Sequence, residues 1–158
     1  MLCVNTPDTG LTGIEVYGIL RDEYDIQTEF GDLGNILAYV SVGDRKSDIE
    51  RLIGALSEIK RIYSKNRSTI VQYKYIMPEV KASPQEAFYS NKEKVGILDS
   101  VGRICGEFIM CYPPGIPILA PGEYITEEIV GYIQYCKEKG CSLTGSEDLE
   151  VNYVNVLA

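Results

Sequence analysis

The sequence of 158 residues contains no histidine and no tryptophan. Because histidine is absent, the chain cannot form a Ser-His-Asp or Cys-His catalytic arrangement, a histidine proton shuttle or most kinds of zinc site. An enzyme built from this chain alone would have to use carboxylates, lysine, tyrosine or cysteine. The composition therefore excludes several common reaction types before any motif is considered.

Positive charge is also scarce. Lys and Arg together number 15 against 23 Asp and Glu, which gives a formal net charge of −8. An acidic surface repels nucleic acid and anionic membranes, so we expect neither as a partner. No apolar run approaches the roughly 20 residues that span a bilayer. The plain interpretation of this charge is solubility, and cationic partners would be tolerated.

The five cysteines are odd in number and contain no C-x-x-C pair. The opening residues, MLCVNTPDTG, do not resemble a secretory signal, so reduced thiols in the cytoplasm are the simplest account. With no histidine to complete a mixed ligand set, we expect no metal site. We expect the cysteines to be small, buried hydrophobic residues. They are Cys3, Cys105, Cys111, Cys136 and Cys141.

Hydrophobic periodicity predicts a compact α/β module in the first 63 residues. A T-x-x-E capping box at Thr12 and Glu15 opens one helix, and a second box at Ser47 and Glu50 opens another. The nearly continuous apolar run over 35–42 predicts a strand buried on both faces. The other predicted elements are a strand over 2–6, an extended segment over 26–30 and a turn over 31–34.

A polar, basic stretch over 64–68 predicts a boundary, and a second module follows it. Its clearest element is a helix capped by Thr126 and ending before Gly140, with an apolar stripe that includes Cys136. The other predicted elements are strands over 68–77, 95–98, 103–112, 116–119 and 151–156, and a helical turn from Pro84.

The stretch CYPPGIPILAPGEYIT, over 111–126, contains four prolines within nine residues. Proline fixes φ, and it also pushes the preceding residue toward extended geometry. The stretch is therefore expected to form a rigid wall.

Two segments together resemble a known family. Residues 6–44 contain a Gly- and Pro-rich turn, a helix, an extended stretch with a glutamate, an apolar strand that begins with asparagine, and a Gly-Asp exit. Residues 84–126 contain PQEAF, then VGRI at 101–104, YPPGIP at 112–117 and PGE at 121–123. This order and spacing resembles the late part of the pyridoxal-phosphate decarboxylases that act on ornithine, lysine and arginine, over nearly the whole chain.

The resemblance implies an α/β (α+β) fold in two parts. Residues 1–63 would be the small subdomain of the aminotransferase-like pyridoxal-phosphate fold. Residues 64–158 would be the decarboxylase C-terminal domain.

The resemblance also implies what this chain lacks. In the family, a separate large domain carries the lysine that binds pyridoxal phosphate, preceded by a histidine, and a second histidine stacks on the cofactor ring. A chain without histidine can contain neither feature, so we expect no catalytic residue and no bound cofactor here, with pyridoxal 5'-phosphate bound in the full-length parent. The expected partners are the missing N-terminal cofactor domain, further copies in a homo-oligomer and, in the parent, a cationic amino acid. The sequence does not choose among ornithine, lysine and arginine.

Two residues of the chain match family positions near the substrate. Glu29 aligns with the glutamate after the small-subdomain helix, and the resemblance implies that it faces the cationic end of the substrate; otherwise it is an ordinary exposed glutamate. Tyr112, at the head of the proline-rich stretch, would line the active-site mouth, or else pack in the core. Asp32 is expected to serve the turn, and Arg103 to pair with Asp99 or another carboxylate.

Two functions follow from these observations. The first is an inactive C-terminal fragment of a decarboxylase. The second is a non-catalytic regulatory module that docks on an intact decarboxylase subunit.

Overall fold

The computed structural model describes residues 1–63 and 76–158. The chain divides into two compact units, Met1–Gln72 and Tyr73–Ala158. The boundary predicted over 64–68 lies outside the described residues, as does most of the strand predicted over 68–77. The domain division proposed from the sequence therefore stays a prediction.

The first unit is built on a small antiparallel sheet with the strand order β1-β3-β2. Strand β1 (Leu2–Asn5) pairs with β3 (Asn35–Ala38), and β2 (Phe30–Gly31) pairs with the other edge of β3. A short 3-10 helix, Pro7–Thr9, follows β1. Two α-helices complete the unit, α1 (Gly13–Tyr24) and α2 (Lys46–Tyr63).

The capping chemistry sets the start of both helices. The predicted box at α1 is confirmed, since the Thr12 side chain accepts from the Glu15 amide and the Glu15 carboxylate accepts from the Thr12 amide. The box predicted at Ser47 is wrong, because α2 already begins at Lys46. The Asp48 carboxylate caps this end instead and accepts from the amide of Arg45 at 2.9 Å.

The strand predicted over 35–42 is only half as long as expected, and it is not buried on both faces. Burial alternates along β3, with Ile36 and Ala38 in the core. The ladder with β1 ends at the pair Leu2–Ala38, so the residues beyond Ala38 have no strand partner in the described part of the chain. The apolar side chains of Tyr39, Val40 and Val42 are consequently exposed.

One face of this sheet forms the core together with α1 and α2. Along α2, Leu52 and Ile59 are buried in this core, whereas Ile53 and Ile62 are exposed. The buried members of the cluster are Val16, Leu20, Ile36, Ala38, Leu52, Ala55 and Ile59.

The start of α1 lies directly against the backbone of the sheet. A side-chain carbon added at Gly13 would overlap the carbonyl oxygen of Asn35, and one added at Gly31 would overlap the carbonyl oxygen of Gly13. The amide of Ile14 donates to the carbonyl of Asp32 at 3.0 Å across the same contact. Glycine is required here because two backbones approach without room for a side chain.

The second unit contains two antiparallel sheets. Strand β4 (Lys92–Gly96) pairs with the last strand, β8 (Tyr153–Leu157). The other sheet has the order β6-β5-β7, from the strands β5 (Ile109–Tyr112), β6 (Ile116–Leu119) and β7 (Ser142–Thr144). Strand β5 is shorter than the predicted range 103–112, because isolated bridges occupy part of that range. Strands β4 and β8 are shifted relative to the predicted ranges 95–98 and 151–156, and a 3-10 helix, Ile97–Ser100, occupies the end of the first of these ranges.

The helices of the second unit begin where their caps predict. Helix α3 (Pro84–Tyr89) has a complete capping box from Ser83 and Glu86, and α4 (Glu127–Glu138) is capped by Thr126. The predicted buried stripe of α4 is confirmed. Gly140 follows this helix with φ +74°, as expected of a residue that ends a helix.

The expected fold class is confirmed as its α+β form, because all ladders among the described residues are antiparallel. None of the helices in the described ranges is long and apolar enough to cross a membrane.

We expect Gly13→Ala to lower the free energy of unfolding by at least about 2 kcal/mol, because the methyl group has no space and the backbones must separate. Gly54→Ala is the matched control, since an added carbon at Gly54 in α2 meets nothing within 4 Å. That substitution should raise the stability by about 0.5–1 kcal/mol. Urea unfolding followed by circular dichroism measures both, and equal effects of the two substitutions would contradict the close contact.

Candidate functional site

Glu29 lies in the extended segment between α1 and β2. Its amide donates to the carbonyl of Leu37 at 2.8 Å, which fixes the backbone against β3. The side chain is exposed, and its carboxylate makes no hydrogen bond or ion pair within the described residues. The carboxylate of Asp32, in contrast, accepts from the amides of Gly34 and Asn35 at 2.8 and 2.7 Å. The carboxylate of Asp32 thus stabilises the turn, whereas the carboxylate of Glu29 is available to bind another group.

Tyr112 is the last residue of β5, and the proline-rich stretch forms the hairpin that links β5 to β6. The peptide bonds Tyr112–Pro113 and Pro113–Pro114 are both cis, and the amide of Gly115 donates back to the carbonyl of Cys111 at 2.9 Å. The side chain of Tyr112 is 57% exposed, so it does not pack in the core. Whether it lines an active-site mouth stays a prediction.

Arg103 has a structural role within the second unit. Its guanidinium pairs with Glu93 on β4 and donates to the carbonyl of Leu157 at 2.9 Å. Among the carboxylates considered from the sequence, Asp99 is therefore not its partner. The pair ties the VGRI segment to the β4–β8 sheet.

Three of the five cysteines meet in the second unit. The sulfur atoms of Cys111, Cys136 and Cys141 lie within 4.8 Å of one another, and we call these residues the cysteine cluster. Cys136 and Cys141 are buried and Cys111 is half-buried, while all five cysteines of the chain are free thiols.

Local structure explains how the cysteine cluster forms. Cys136 lies in the last turn of α4, and the left-handed residue Gly140 reverses the chain so that the amide of Cys141 donates to the carbonyl of Cys136 at 2.9 Å. Strand β7 then starts and pairs with β5, where Cys111 is opposite Leu143. One helix end and one strand pairing thus bring the three sulfurs together.

The three thiols of the cysteine cluster shift one another's pKa. The thiols of Cys136 and Cys141 act as hydrogen-bond donors toward Cys111, and this holds the pKa of Cys111 well below its usual range. The same interactions raise the pKa of Cys136 and of Cys141, because each proton is needed by the neighbouring thiolate. These shifts favour the thiolate at the half-buried Cys111 over a thiolate at either buried sulfur.

Tyr132 supports the cysteine cluster from the preceding turn of α4. Burial raises the pKa of Tyr132, so its hydroxyl keeps the proton. That hydroxyl interacts with the sulfur of Cys136 and favours its charged form, as a hydrogen-bond donor does.

The sequence did not reveal this site. The prediction that the cysteines are buried hydrophobic residues holds for Cys105, Cys136 and Cys141, but it is wrong for the exposed Cys3. A usable local signal was the spacing of Cys136 and Cys141 across a helix end marked by Gly140. The third member could not be found, since it depends on the pairing of β5 with β7.

The described lysines do not fit a pyridoxal-phosphate site. A lysine that forms a Schiff base is usually desolvated in a pocket or placed beside another cation. Here Lys46, Lys60, Lys81, Lys92 and Lys94 are exposed, and the half-buried Lys137 donates to the Asn152 side chain at 3.0 Å. Lys139, also half-buried, lies over the ring of Tyr135. The described part of the chain thus offers no lysine in such a setting.

Comparison with protein families gives a match over residues 65–149 to the Orn/Lys/Arg decarboxylase, C-terminal domain. The chain is 39% identical to an arginine decarboxylase of Bacillus subtilis over 99% of its length, and 42% identical to an arginine decarboxylase of Halalkalibacterium halodurans over 93%. It covers 32% and 30% of these two relatives, so it spans about a third of their length.

A solved structure shows the same fold. The crystal structure of a lysine decarboxylase from Francisella novicida superposes with a TM-score of 0.68 and 23% identity, covering 93% of this chain and 28% of that chain.

We expect Cys111 to be alkylated by iodoacetamide at pH 6 roughly two- to fivefold faster than the exposed Cys3, because its larger thiolate fraction outweighs the lower nucleophilicity of a low-pKa thiolate. Between pH 8 and pH 6 the rate at an ordinary thiol falls roughly 75-fold. The rate at Cys111 should change little over this interval, since its lowered pKa keeps it ionised. Peptide mass spectrometry at several times measures each site.

Two substitutions of Cys136 serve as a matched pair. Cys136→Ser keeps an O–H donor toward Cys111, whereas Cys136→Ala removes it. Only the alanine variant should make alkylation of Cys111 strongly pH-dependent. An equal pH dependence at Cys111 and Cys3 in the unmodified sequence would contradict the assignment of the thiolate.

Proposed function

Because this chain belongs to the Orn/Lys/Arg decarboxylase family through its C-terminal domain, we propose that it forms the C-terminal part of a pyridoxal-phosphate-dependent decarboxylase of a basic amino acid. The observation that carries the proposal is the alignment of 99% of this chain with 32% of a named arginine decarboxylase. The two relatives near 40% identity are both named arginine decarboxylases, whereas the lysine decarboxylase of Hafnia alvei is 24% identical. We therefore propose arginine as the substrate of the whole protein.

The residues present in this chain indicate which part of the decarboxylase would hold the cofactor. When bound, pyridoxal phosphate supplies the electron sink for loss of carbon dioxide. The described residues of this chain do not fit that cofactor, so the rest of the decarboxylase would hold it. By itself, the chain would have no decarboxylase activity.

Glu29 is proposed to bind the cationic end of the substrate. A carboxylate and a guanidinium form a charge-assisted, often bidentate hydrogen-bonded pair. Two features of Glu29 support this role: its backbone is fixed by the bond to Leu37, and its carboxylate is not used by another described residue. Tyr112 is proposed to border the approach to the site, in keeping with its exposure at the rigid hairpin.

A chimera tests the function directly. This chain replaces the aligned segment of the Bacillus subtilis arginine decarboxylase, and the same enzyme without that segment is the control. The chimera should release carbon dioxide from labelled arginine and the shortened enzyme should not. A chimera that is folded by circular dichroism, binds the cofactor and is as inactive as the shortened enzyme would overturn the proposal.

The isolated chain provides the second test. Mixed with pyridoxal phosphate, it should stay colourless near the absorbance of the lysine adduct and release no carbon dioxide from arginine, lysine or ornithine. A stable yellow adduct that borohydride reduces would show that the chain holds the cofactor itself.

In the chimera, Glu29→Gln should raise KM for arginine by about 10- to 100-fold, since a hydrogen bond to a charged group contributes about 1.5–3 kcal/mol. Glu23→Gln, at an exposed position of α1, is the matched control and should leave KM unchanged. A change of similar size in both variants would assign the effect to net charge and remove Glu29 from the site.

The exposed apolar residues that follow β3 support a further proposal, that the isolated chain self-associates in keeping with a homo-oligomeric parent. Tyr39 and Val42 are both exposed in the isolated chain. Light scattering at increasing concentration should show dimers or larger species, and Val42→Asp should shift the distribution toward the monomer. A strictly monomeric chain at high concentration would contradict this proposal.

A further inference from the structure

We propose that the cysteine cluster is a metal site that binds one Zn²⁺ ion through the sulfurs of Cys111, Cys136 and Cys141, with a solvent molecule as the fourth ligand. The sequence argued against a metal site because it has no C-x-x-C pair and no histidine. The fold removes the first objection, since the pairing of β5 with β7 brings Cys111 to the neighbouring pair Cys136 and Cys141 at the end of α4. The inference is independent of the decarboxylase proposal.

The spacing of the sulfurs suits a metal ion. A zinc–sulfur bond of roughly 2.3 Å implies sulfur–sulfur distances of about 3.8 Å in a tetrahedral site. The three sulfurs already lie within 4.8 Å of one another, so side-chain rotations that bring them about 1 Å closer suffice. A disulfide would need one pair at about 2.05 Å and would leave the third sulfur without a role. The arrangement of three mutual neighbours is therefore closer to a metal site than to a disulfide.

Rigid elements hold the donors in place. Cys136 is fully buried in α4, and Cys141 is held next to it by the left-handed turn at Gly140. Cys111 lies on β5, the central strand of its sheet, with β6 and β7 on either side. Because these elements are packed in the core, little conformational entropy remains to be lost when an ion binds.

The surroundings favour a cation with sulfur ligands. The carbonyl end of a helix carries partial negative charge, and Cys136 and Cys141 are both at that end of α4. The hydroxyl of Tyr132 interacts with the sulfur of Cys136, and such outer contacts orient a ligand and tune its basicity. No carboxylate belongs to the cysteine cluster in the described ranges, so Mg²⁺ and Ca²⁺ are poor candidates.

Solvent reaches the edge of the cysteine cluster. Cys111 is only half-buried, and Cys141 lines an open cavity of about 460 Å³ together with Lys137 and Glu150. Three protein ligands and one exchangeable ligand is the pattern of zinc sites that are open to a small molecule. Among the described residues no further His, Cys, Asp or Glu joins the three sulfurs, so a solvent ligand would complete the tetrahedron around Zn²⁺.

Metal titration of the full 158-residue chain tests the site. The protein is reduced, shown by thiol titration to contain five free cysteines, and titrated under argon with Zn²⁺ against a chromogenic chelator and with Cd²⁺ by ultraviolet charge-transfer absorbance. We expect one ion per chain, bound in the sub-micromolar range. Cys111→Ser should weaken the affinity by at least about 100-fold, and Cys3→Ser, at an exposed thiol outside the cluster, should not change it.

A second readout covers the case in which a variant fails to fold. In the unmodified sequence, Zn²⁺ should protect the half-buried Cys111 from alkylation and leave the exposed Cys3 reactive. No binding at micromolar free Zn²⁺, equal affinity in Cys111→Ser and Cys3→Ser, or protection of other residues would each overturn the proposal. Binding of Cu⁺ without binding of Zn²⁺ would overturn the assignment of the ion.

Discussion

The close approach of two backbones at Gly13 and Gly31 sets the geometry of the first unit. This contact places the start of α1 against the turn before β3, and the hydrogen bond from Ile14 to Asp32 fixes it. Glu29 precedes Gly31 by two residues, so the direction in which its side chain projects depends on this contact. A loss of packing at the glycines would displace the proposed substrate contact without any change to the glutamate itself.

Strand β5 has the corresponding role in the second unit. It is the central strand of its sheet, it begins the proline-rich hairpin, and it contributes the half-buried sulfur of the cysteine cluster. The buried stripe of α4 and the turn at Gly140 supply the other two sulfurs. The unit thus combines a rigid hairpin with a helix end around one strand.

Local chemistry made much of the fold predictable. The capping box at Thr12, the cap at Thr126 and the stop at Gly140 depend on residues three or four positions apart, and the structure has all of them. The box predicted at Ser47 failed for a local reason, since Asp48 caps a helix that already begins at Lys46. Two other errors arose where a partner strand decides the outcome. The apolar run after Ala38 predicts a longer strand, but β1 ends its ladder at Leu2 and no strand within residues 1–63 or 76–158 continues it. The cysteine cluster was missed for the same reason, since Cys111 joins it through a strand pairing that no local pattern encodes.

Cys111 and Tyr112 are consecutive residues of β5, and successive side chains of a strand point to opposite faces. One face of the strand end is thus committed to the sulfurs, while the other presents the aromatic ring beside the hairpin. Because one peptide unit joins the two residues, a shift of the β5 backbone at Cys111 also shifts the position of that ring. A residue that contacts the interior of the unit and a residue on its surface are thus direct neighbours in the chain.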